Sequence, residues 1–345
     1  MADTRPTVWV SQPLIDAAIA PLRDRVQLLA TETVTAWSPQ QIAERLASVD
    51  GAIITLNERI GAAQLADATQ LQVIANVGVG YNNLDVDALS AAGILASNTP
   101  DVLTETTADL GFALLMATAR RITESERWLR EGKWGQWSFQ TMLGADIHGS
   151  TLGILGMGRI GQGIARRGAH GFGMKVLYHN RSRLPAETEA VLGATYVDLD
   201  TLLAQSDHLV TVLPYTPASH HIIDAAALSR MKPSATLVNI ARGGIVDELA
   251  LADALANGRL AAAGLDVYEG EPTVRPELLA LRNVVLTPHI GSASLATRTA
   301  MVQLAVDNLL AGLGLAGDAA HMPSAINADA ALAARVILGK KAGKR

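Results

Sequence analysis

Thr151-Leu-Gly-Ile-Leu-Gly156-Met-Gly158-Arg159-Ile160-Gly161-Gln-Gly163 decides the fold. An apolar run ends at Gly156, a G-x-G-x-x-G follows, and Ile160, Ile164 and Ala165 recur at helical spacing, so the order is strand, tight turn, helix. Gly156 permits the turn, Gly158 lets phosphate oxygens approach the backbone, and Gly161 lets the helix lie close to the strand. The free N–H groups of the first helical turn face an anion. A second strand, Lys175 to Tyr178, begins at the distance of a βαβ unit. These features describe a pyrophosphate cradle; a glycine-rich turn with no ligand is the plainer alternative.

The end of the second strand selects the dinucleotide. An NAD site normally places Asp or Glu there to accept from the ribose 2′-OH, whereas this chain has His179 and Asn180, followed by Arg181, Ser182 and Arg183. A carboxylate would repel a 2′-phosphate, while two guanidiniums and a hydroxyl would pair with it. The expected cofactor is NADP(H), bound in part by Asn180, Arg181, Ser182 and Arg183. The competing account is a solvated basic turn.

Upstream, short β-rich runs alternate with helical patterns through the first hundred residues: Thr7 to Val10, Leu14 to Ala20, Val26 to Ala30, Pro39 to Ala47, Ala52 to Thr55, Ala62 to Ala68, Leu71 to Val77, Val86 to Ala92 and Gly93 to Ser97. Such alternation implies a parallel sheet with helices on its faces. Ligands bind beyond the carboxyl ends of such strands, so Val77 and Gly78 are candidates for contact with a substrate carboxylate, against a turn that merely needs glycine. One helix is expected over Leu103 through Glu131, burying Leu110, Leu114, Leu115, Thr118 and Ile122. Trp134, Trp137 and Phe139 then stand together in a chain only 4% aromatic, consistent with a subunit interface or a locally packed loop. Leu56 and Asn57 are candidates for shaping a substrate pocket, or pack as an ordinary loop.

Downstream, four apolar strands end in polar or glycine residues: His208 to Pro214, Ala235 to Gly244, Ala261 to Val267 and Val284 to Gly291. Parallel strands bring those ends to one sheet edge, shared with the cofactor. Arg242, Glu271 and His289 carry the chemistry that reduction of a 2-keto acid needs. Arg242 can fork two N–H groups onto carboxylate and carbonyl oxygen, His289 can donate a proton to the emerging alkoxide, and Glu271, if it pairs with the imidazole, favours the imidazolium that donates it. Taken singly, the three also read as a surface turn, a structural histidine and a helix cap. The remaining histidines form no such constellation, and no metal site is expected. A helical stretch, Leu295 to Leu310, is expected to return to the first domain, followed by an Ala-rich tail.

With 345 residues, 49% hydrophobic and 18% charged, the chain has material for two domains. A net charge of −5 argues against a nucleic-acid or anionic-membrane surface, although Lys340-Lys341-Ala-Gly-Lys344-Arg345 is locally basic. Cysteine is absent, which excludes disulfides and thiolate chemistry. The start lacks the apolar stretch of a signal peptide, and the longest apolar segment, Leu110 to Ala119, is too short to span a bilayer, so the expected location is the cytoplasm.

Four motifs taken together, Gly156-x-Gly158-x-x-Gly161, Leu237-Val-Asn-Ile-Ala-Arg242-Gly243-Gly244, Gly264-Leu-Asp266-Val-Tyr268-Glu-Gly-Glu271-Pro272 and Thr287-Pro-His289-Ile-Gly291, resemble those of the D-isomer-specific 2-hydroxyacid dehydrogenases. The resemblance implies two doubly wound parallel-sheet lobes, an NADP-binding Rossmann domain at residues 100–291 inserted into a flavodoxin-like substrate domain at 1–99 and 292–345, and a homodimer. It implies that Arg242, Glu271 and His289 act as above and that Val77 and Gly78 hold the substrate carboxylate through backbone N–H groups. It also implies that Asp266 meets the nicotinamide carboxamide and that Arg159 and Ile160 bind the pyrophosphate, with Thr107, Leu213, Pro214, Ile240 and Gly291 lining the rest of the cofactor site. Within the family, Thr104 to Asp109 and the 180–183 turn look most like NADPH-using glyoxylate/hydroxypyruvate and 2-ketogluconate reductases. A dinucleotide-sensing, corepressor-like binding protein is the alternative of a different class, because that fold serves both.

Overall fold

The computed structural model describes residues 3–317 and 321–339, so the basic tail at 340–345 lies outside the described residues. The chain forms two compact units, one made of residues up to Leu103 together with those from Ala293 onward, the other of Thr104–Ser292.

The first unit holds five parallel strands, β1 (Thr7–Val10), β2 (Gln27–Ala30), β3 (Gly51–Ile54), β4 (Val73–Asn76) and β5 (Leu95–Ser97), in the order β2-β1-β3-β4-β5. That is the flavodoxin-like order, with its switch point between β1 and β3. Both faces are covered, which is why the strands read as continuous apolar runs. Val8, Val10, Ile53, Val73 and Ala75 pack against the helix Leu295–Gly312 through Val302, Val306 and Leu309; Trp9, Ala52, Ile54 and Ile74 pack against Ile42, Leu46 and Leu89 on the other side. The Ala-rich tail forms a helix, Ala328–Ile337, whose buried Arg335 donates from Nε to the Gly93 carbonyl at 2.7 Å.

The second unit holds β6 (Thr151–Leu155), β7 (Lys175–His179), β8 (Ala194–Tyr196), β9 (His208–Thr211), β10 (Thr236–Asn239), β11 (Ala262–Leu265) and β12 (Val284–Leu286). Their order is β12-β11-β10-β9-β6-β7-β8, all parallel. Alternate residues feed two cores: Leu155, Leu177, Leu209 and Leu237 on one face, Ile154, Val176, Val210 and Val238 on the other with Leu115 and Ile164.

The single helix expected over Leu103 to Glu131 is two helices, Thr104–Ala119 and Ile122–Arg130. Arg121 adopts a left-handed backbone (φ 53°), held by its guanidinium on Glu124 and by Nη1 donating to the Leu143 carbonyl at 3.1 Å. Leu114, Leu115 and Thr118 are buried as expected and Leu110 is half-buried, whereas Ile122, falling beyond the break, is 51% exposed.

Candidate active site

In the second unit the strand order reverses at β6, with β7 on one side and β9 on the other, and the glycine turn follows β6. Gly156 has φ 103°, and a Cβ there would lie 2.7 Å from the Val212 carbonyl; a Cβ on Gly161 would lie 2.3 Å from the Gly156 oxygen. Packing within the protein therefore demands both glycines. Gly158 differs: an added Cβ meets nothing within 4 Å, and Gly158 begins the helix Arg159–Arg166 without side-chain capping. Exposed Arg159 and half-buried Ile160 open that helix. A backbone left open at an uncapped helix start fits a pyrophosphate.

Asn180 Oδ1 accepts from the Met157 N–H at 2.8 Å and ties the end of β7 to the glycine turn. Arg181 and Ser182 are exposed, and Arg181 has no hydrogen bond or ion pair among the described residues. Arg183 is engaged: Nε and Nη2 donate to Glu189 Oε1 and Oε2 at 2.9 and 2.7 Å. Arg183 first, then the Tyr178 hydroxyl, hold Glu189 down at a pKa of about 2. Burial and Glu189 in turn push Tyr178 up to about 12. Of the two guanidiniums expected to be open to a 2′-phosphate, one already has a carboxylate.

Leu213 and Pro214 follow β9 beside Gly156, and Ile240 follows β10. Thr107, Asp266 and Gly291 converge, since a Cβ on Gly291 would stand 3.3 Å from Thr107 Cγ2 and 3.4 Å from Asp266 Oδ2. Asp266 is buried and accepts from Thr287 Oγ1, Ile290 N and Gly291 N at 2.7, 2.8 and 2.9 Å. Burial pushes its carboxyl above the ordinary value despite those donors.

Glu271 and His289 meet, with His289 Nδ1 2.8 Å from Glu271 Oε2. His289 has a left-handed backbone (φ 51°), secured by its N–H donating to the Asp266 carbonyl at 2.9 Å. Glu271 Oε1 accepts from the Tyr268 N–H at 2.9 Å. Burial alone would raise the Glu271 pKa, but the hydrogen bond and charge of His289, the Tyr268 N–H and the Arg242 charge outweigh it and hold the carboxyl below its ordinary value. Arg242 is half-buried, its Nη1 donating to the Ala241 carbonyl at 2.7 Å; burial lowers its pKa, and Glu271 partly offsets this. A guanidinium so held remains charged. Asn239 Nδ2 donates to the Arg242 carbonyl at 3.0 Å and clamps that turn, a residue visible in the motif whose role the sequence reading did not assign. A Cβ on Gly243 would lie 2.0 Å from the Tyr268 carbonyl carbon, so only glycine lets the Arg242 turn approach the strand end beside it.

In the first unit the two amides expected to meet a carboxylate already have backbone partners. The N–H of Val77 donates to the Ile54 carbonyl at 2.8 Å and that of Gly78 to the Asn76 carbonyl at 3.0 Å, so both are committed. The next two, of Val79 and Gly80, have no partner among the described residues. Their peptides are fixed by their oxygens: Asn98 Nδ2 donates to the Val79 carbonyl at 2.8 Å and Asn76 Nδ2 to the Gly80 carbonyl at 3.1 Å. A Cβ on Gly78 would lie 2.7 Å from Leu56 Cδ2, so Leu56 packs over this loop. Glu58, also unassigned from sequence, is buried at the switch point and accepts from Ser11 Oγ, Gln12 Nε2 and Thr55 N at 2.7, 2.7 and 2.8 Å. It fixes the loop that carries Leu56.

The profile of the family described as D-isomer specific 2-hydroxyacid dehydrogenase, NAD binding domain, matches residues 112–291. The chain belongs to that family. Glyoxylate reductase of Thermococcus onnurineus is 44% identical over 311 residues, covering 89% of this chain and 92% of that one. Glyoxylate/hydroxypyruvate reductase B of Escherichia fergusonii is 41% identical over 310 residues, covering 90% and 95%. Among solved structures, the NADPH-dependent glyoxylate/hydroxypyruvate reductase of Sinorhizobium meliloti, in complex with NADP and malonate, superposes with a TM-score of 0.78 at 36% identity over 89% of this chain and 93% of that one. This member of the 2-hydroxyacid dehydrogenases is thus an oxidoreductase with an NAD(P)-binding domain of parallel α/β architecture. No helix among its described residues is long and apolar enough to cross a membrane.

Proposed function

We propose that the protein reduces a short 2-keto acid, glyoxylate or hydroxypyruvate, to the D-2-hydroxy acid with NADPH. The observation that carries this reading is the 2.8 Å pairing of His289 with Glu271 beside the half-buried Arg242, whose charge acts on Glu271. The names of the relatives support the substrate class, and the unpaired Arg181 with no carboxylate at the end of β7 supports NADPH.

Bound NADPH supplies a hydride to the carbonyl carbon. Arg242 holds the carboxylate and polarises the carbonyl oxygen, which gathers negative charge as the carbon is reduced. His289 gives that oxygen a proton, so that keto acid, hydride and proton become the hydroxy acid. Glu271 keeps the imidazole oriented, its Oε2 2.8 Å from Nδ1. In the first unit, Val79 and Gly80 replace Val77 and Gly78 as the N–H donors offered to a carboxylate. Arg159, Ile160 and the glycine turn hold the pyrophosphate, Arg181 the 2′-phosphate, and Asp266 the nicotinamide carboxamide.

The reading includes a homodimer. Trp134, Trp137, Phe139 and Leu143 are 55, 65, 84 and 65% exposed in one loop, a patch of the kind interfaces bury. Light scattering of Trp137→Ser/Phe139→Ser should find monomer where the parent chain gives dimer.

Initial rates of NADPH and NADH oxidation with glyoxylate, hydroxypyruvate and 2-ketogluconate test the whole. A preference for NADPH with glyoxylate or hydroxypyruvate is expected. An NADH preference overturns the role of Arg181, 2-ketogluconate as best substrate overturns the short-acid assignment, and absence of turnover overturns the enzyme.

A further inference from the structure

His220 and His221, which no sequence motif singled out, lie across a loop from Glu269 in the second unit. One ligand atom from each of the three residues falls within 4.8 Å of the others. The two imidazoles stack with centroids 3.8 Å apart and an interplanar angle of 23°. His221 Nε2 contacts Glu269 Oε1. Two backbone features hold the pair: His221 has φ 50°, and its N–H donates to the Gly244 carbonyl at 2.8 Å.

Two of the three ligands, His220 and Glu269, have a partner on the atom a metal would leave alone. Tyr215 Oη lies 3.2 Å from His220 Nδ1, leaving Nε2 of that exposed ring open. Arg275 Nη2 donates to Glu269 Oε2 at 3.1 Å, leaving Oε1 to face the imidazoles. Such outer contacts orient metal ligands and fix which nitrogen is available. The local charge also asks for a cation. Glu248 Oε1 accepts from the Glu269 N–H at 2.6 Å and Oε2 stands 3.5 Å from Arg275 Nε, so two carboxylates share one guanidinium.

We infer that His220, His221 and Glu269 form a binding site for one divalent transition-metal cation of the zinc class. Two imidazole nitrogens and one carboxylate oxygen are the donor set that zinc, cobalt and nickel accept, whereas magnesium and calcium prefer oxygen alone. Three ligands leave a fourth position to water. Tetrahedral bonds of about 2.0 to 2.1 Å place ligand atoms about 3.3 Å apart, and the three ligand atoms here lie within 4.8 Å of one another.

The test uses the full, tag-free chain, stripped with chelator and titrated with zinc chloride by calorimetry and with cobalt chloride by visible absorption, without dinucleotide or acid. It is therefore independent of the reaction proposed above. Saturable binding of one zinc is expected, with the intense visible bands of low-coordinate cobalt. His220→Ala, an exposed change that leaves the fold and the reductase rate intact, should weaken zinc binding at least tenfold, and His170→Ala should leave it unchanged. Absence of saturable binding, equal affinity in parent and His220→Ala, or loss in His170→Ala would each overturn the site.

Discussion

Arg183 and Glu189 form a two-pronged ion pair, Nε to Oε1 at 2.9 Å and Nη2 to Oε2 at 2.7 Å, in the turn that the cofactor reading assigns to the 2′-phosphate. To reach a phosphate, Arg183 has to leave a carboxylate; Arg181 leaves nothing. Charge-assisted hydrogen bonds contribute about 1.5 to 3 kcal/mol, so Arg181→Ala should raise KM for NADPH at least about tenfold with KM for NADH nearly unchanged. Arg183→Ala should cost less, and Glu189→Gln should lower KM for NADPH. Steady-state kinetics with both nucleotides decide it: a larger effect at Arg183 than at Arg181 contradicts the argument.

The same pair makes an acid-stability prediction. Glu189 has a folded pKa of about 2, below its ordinary 4.5. A depressed carboxyl stabilises the fold above the unfolded pKa, and that contribution is lost as pH falls from about 4.5 towards 2. Arg183→Ala removes the largest cause of the depression. Urea midpoints should therefore fall more steeply between pH 4.5 and 2 in the parent chain than in the variant, and parallel curves would refute the linkage.

Two glycines of one motif should fail differently. A Cβ at Gly161 meets backbone at 2.3 Å, and at Gly158 it meets nothing. Overpacking costs about 1 to 3 kcal/mol, so Gly161→Ala should lower Tm by several degrees. Gly158→Ala should leave Tm within about a degree while NADPH binding weakens more than tenfold, read by nucleotide fluorescence. Loss of Tm at Gly158 with binding retained would show that this glycine serves packing rather than a ligand.

The strand ends were legible because apolar runs closed by glycine or polar residues have one arrangement in a parallel sheet: Arg242, Asp266 and His289 follow β10, β11 and β12 as their positions imply. Other features depend on partners far away in the chain. Asn76-Val77-Gly78-Val79-Gly80 repeats Val-Gly, and it is the Ile54 carbonyl, on another strand, that takes the Val77 amide. Arginine is a good helix former, so its residue type does not announce the break at Arg121, which is held both by Glu124 and by the distant Leu143 carbonyl. Glu269 reaches His221 from 48 residues away, a juxtaposition that spacing cannot encode.

His289 is expected to donate the proton and Glu271 to hold it ready. General acid catalysis contributes about 10²- to 10⁴-fold. His289→Ala should lower kcat over that range while the dissociation constant for NADPH changes less than about twofold. Glu271→Gln should cost less, because the imidazole remains and only its orientation suffers. Single-turnover rates separate chemistry from binding, and an unchanged rate in His289→Ala would remove it from the reaction.

Asn98 offers a test of Val79 and Gly80 as the proposed carboxylate donors. Its Nδ2 fixes the Val79 carbonyl at 2.8 Å, and the peptide plane that carries this oxygen also carries the Gly80 N–H. Freeing the oxygen frees the donor to turn away from a carboxylate. Asn98→Ala should therefore raise KM for the keto acid about tenfold, the loss of one hydrogen bond to a charged group, and leave KM for NADPH unchanged. The committed amides of Val77 and Gly78 make a contrasting expectation: they keep their bonds to Ile54 and Asn76 whether or not Asn98 is present. If they were the donors, Asn98→Ala would leave KM for the acid as it was.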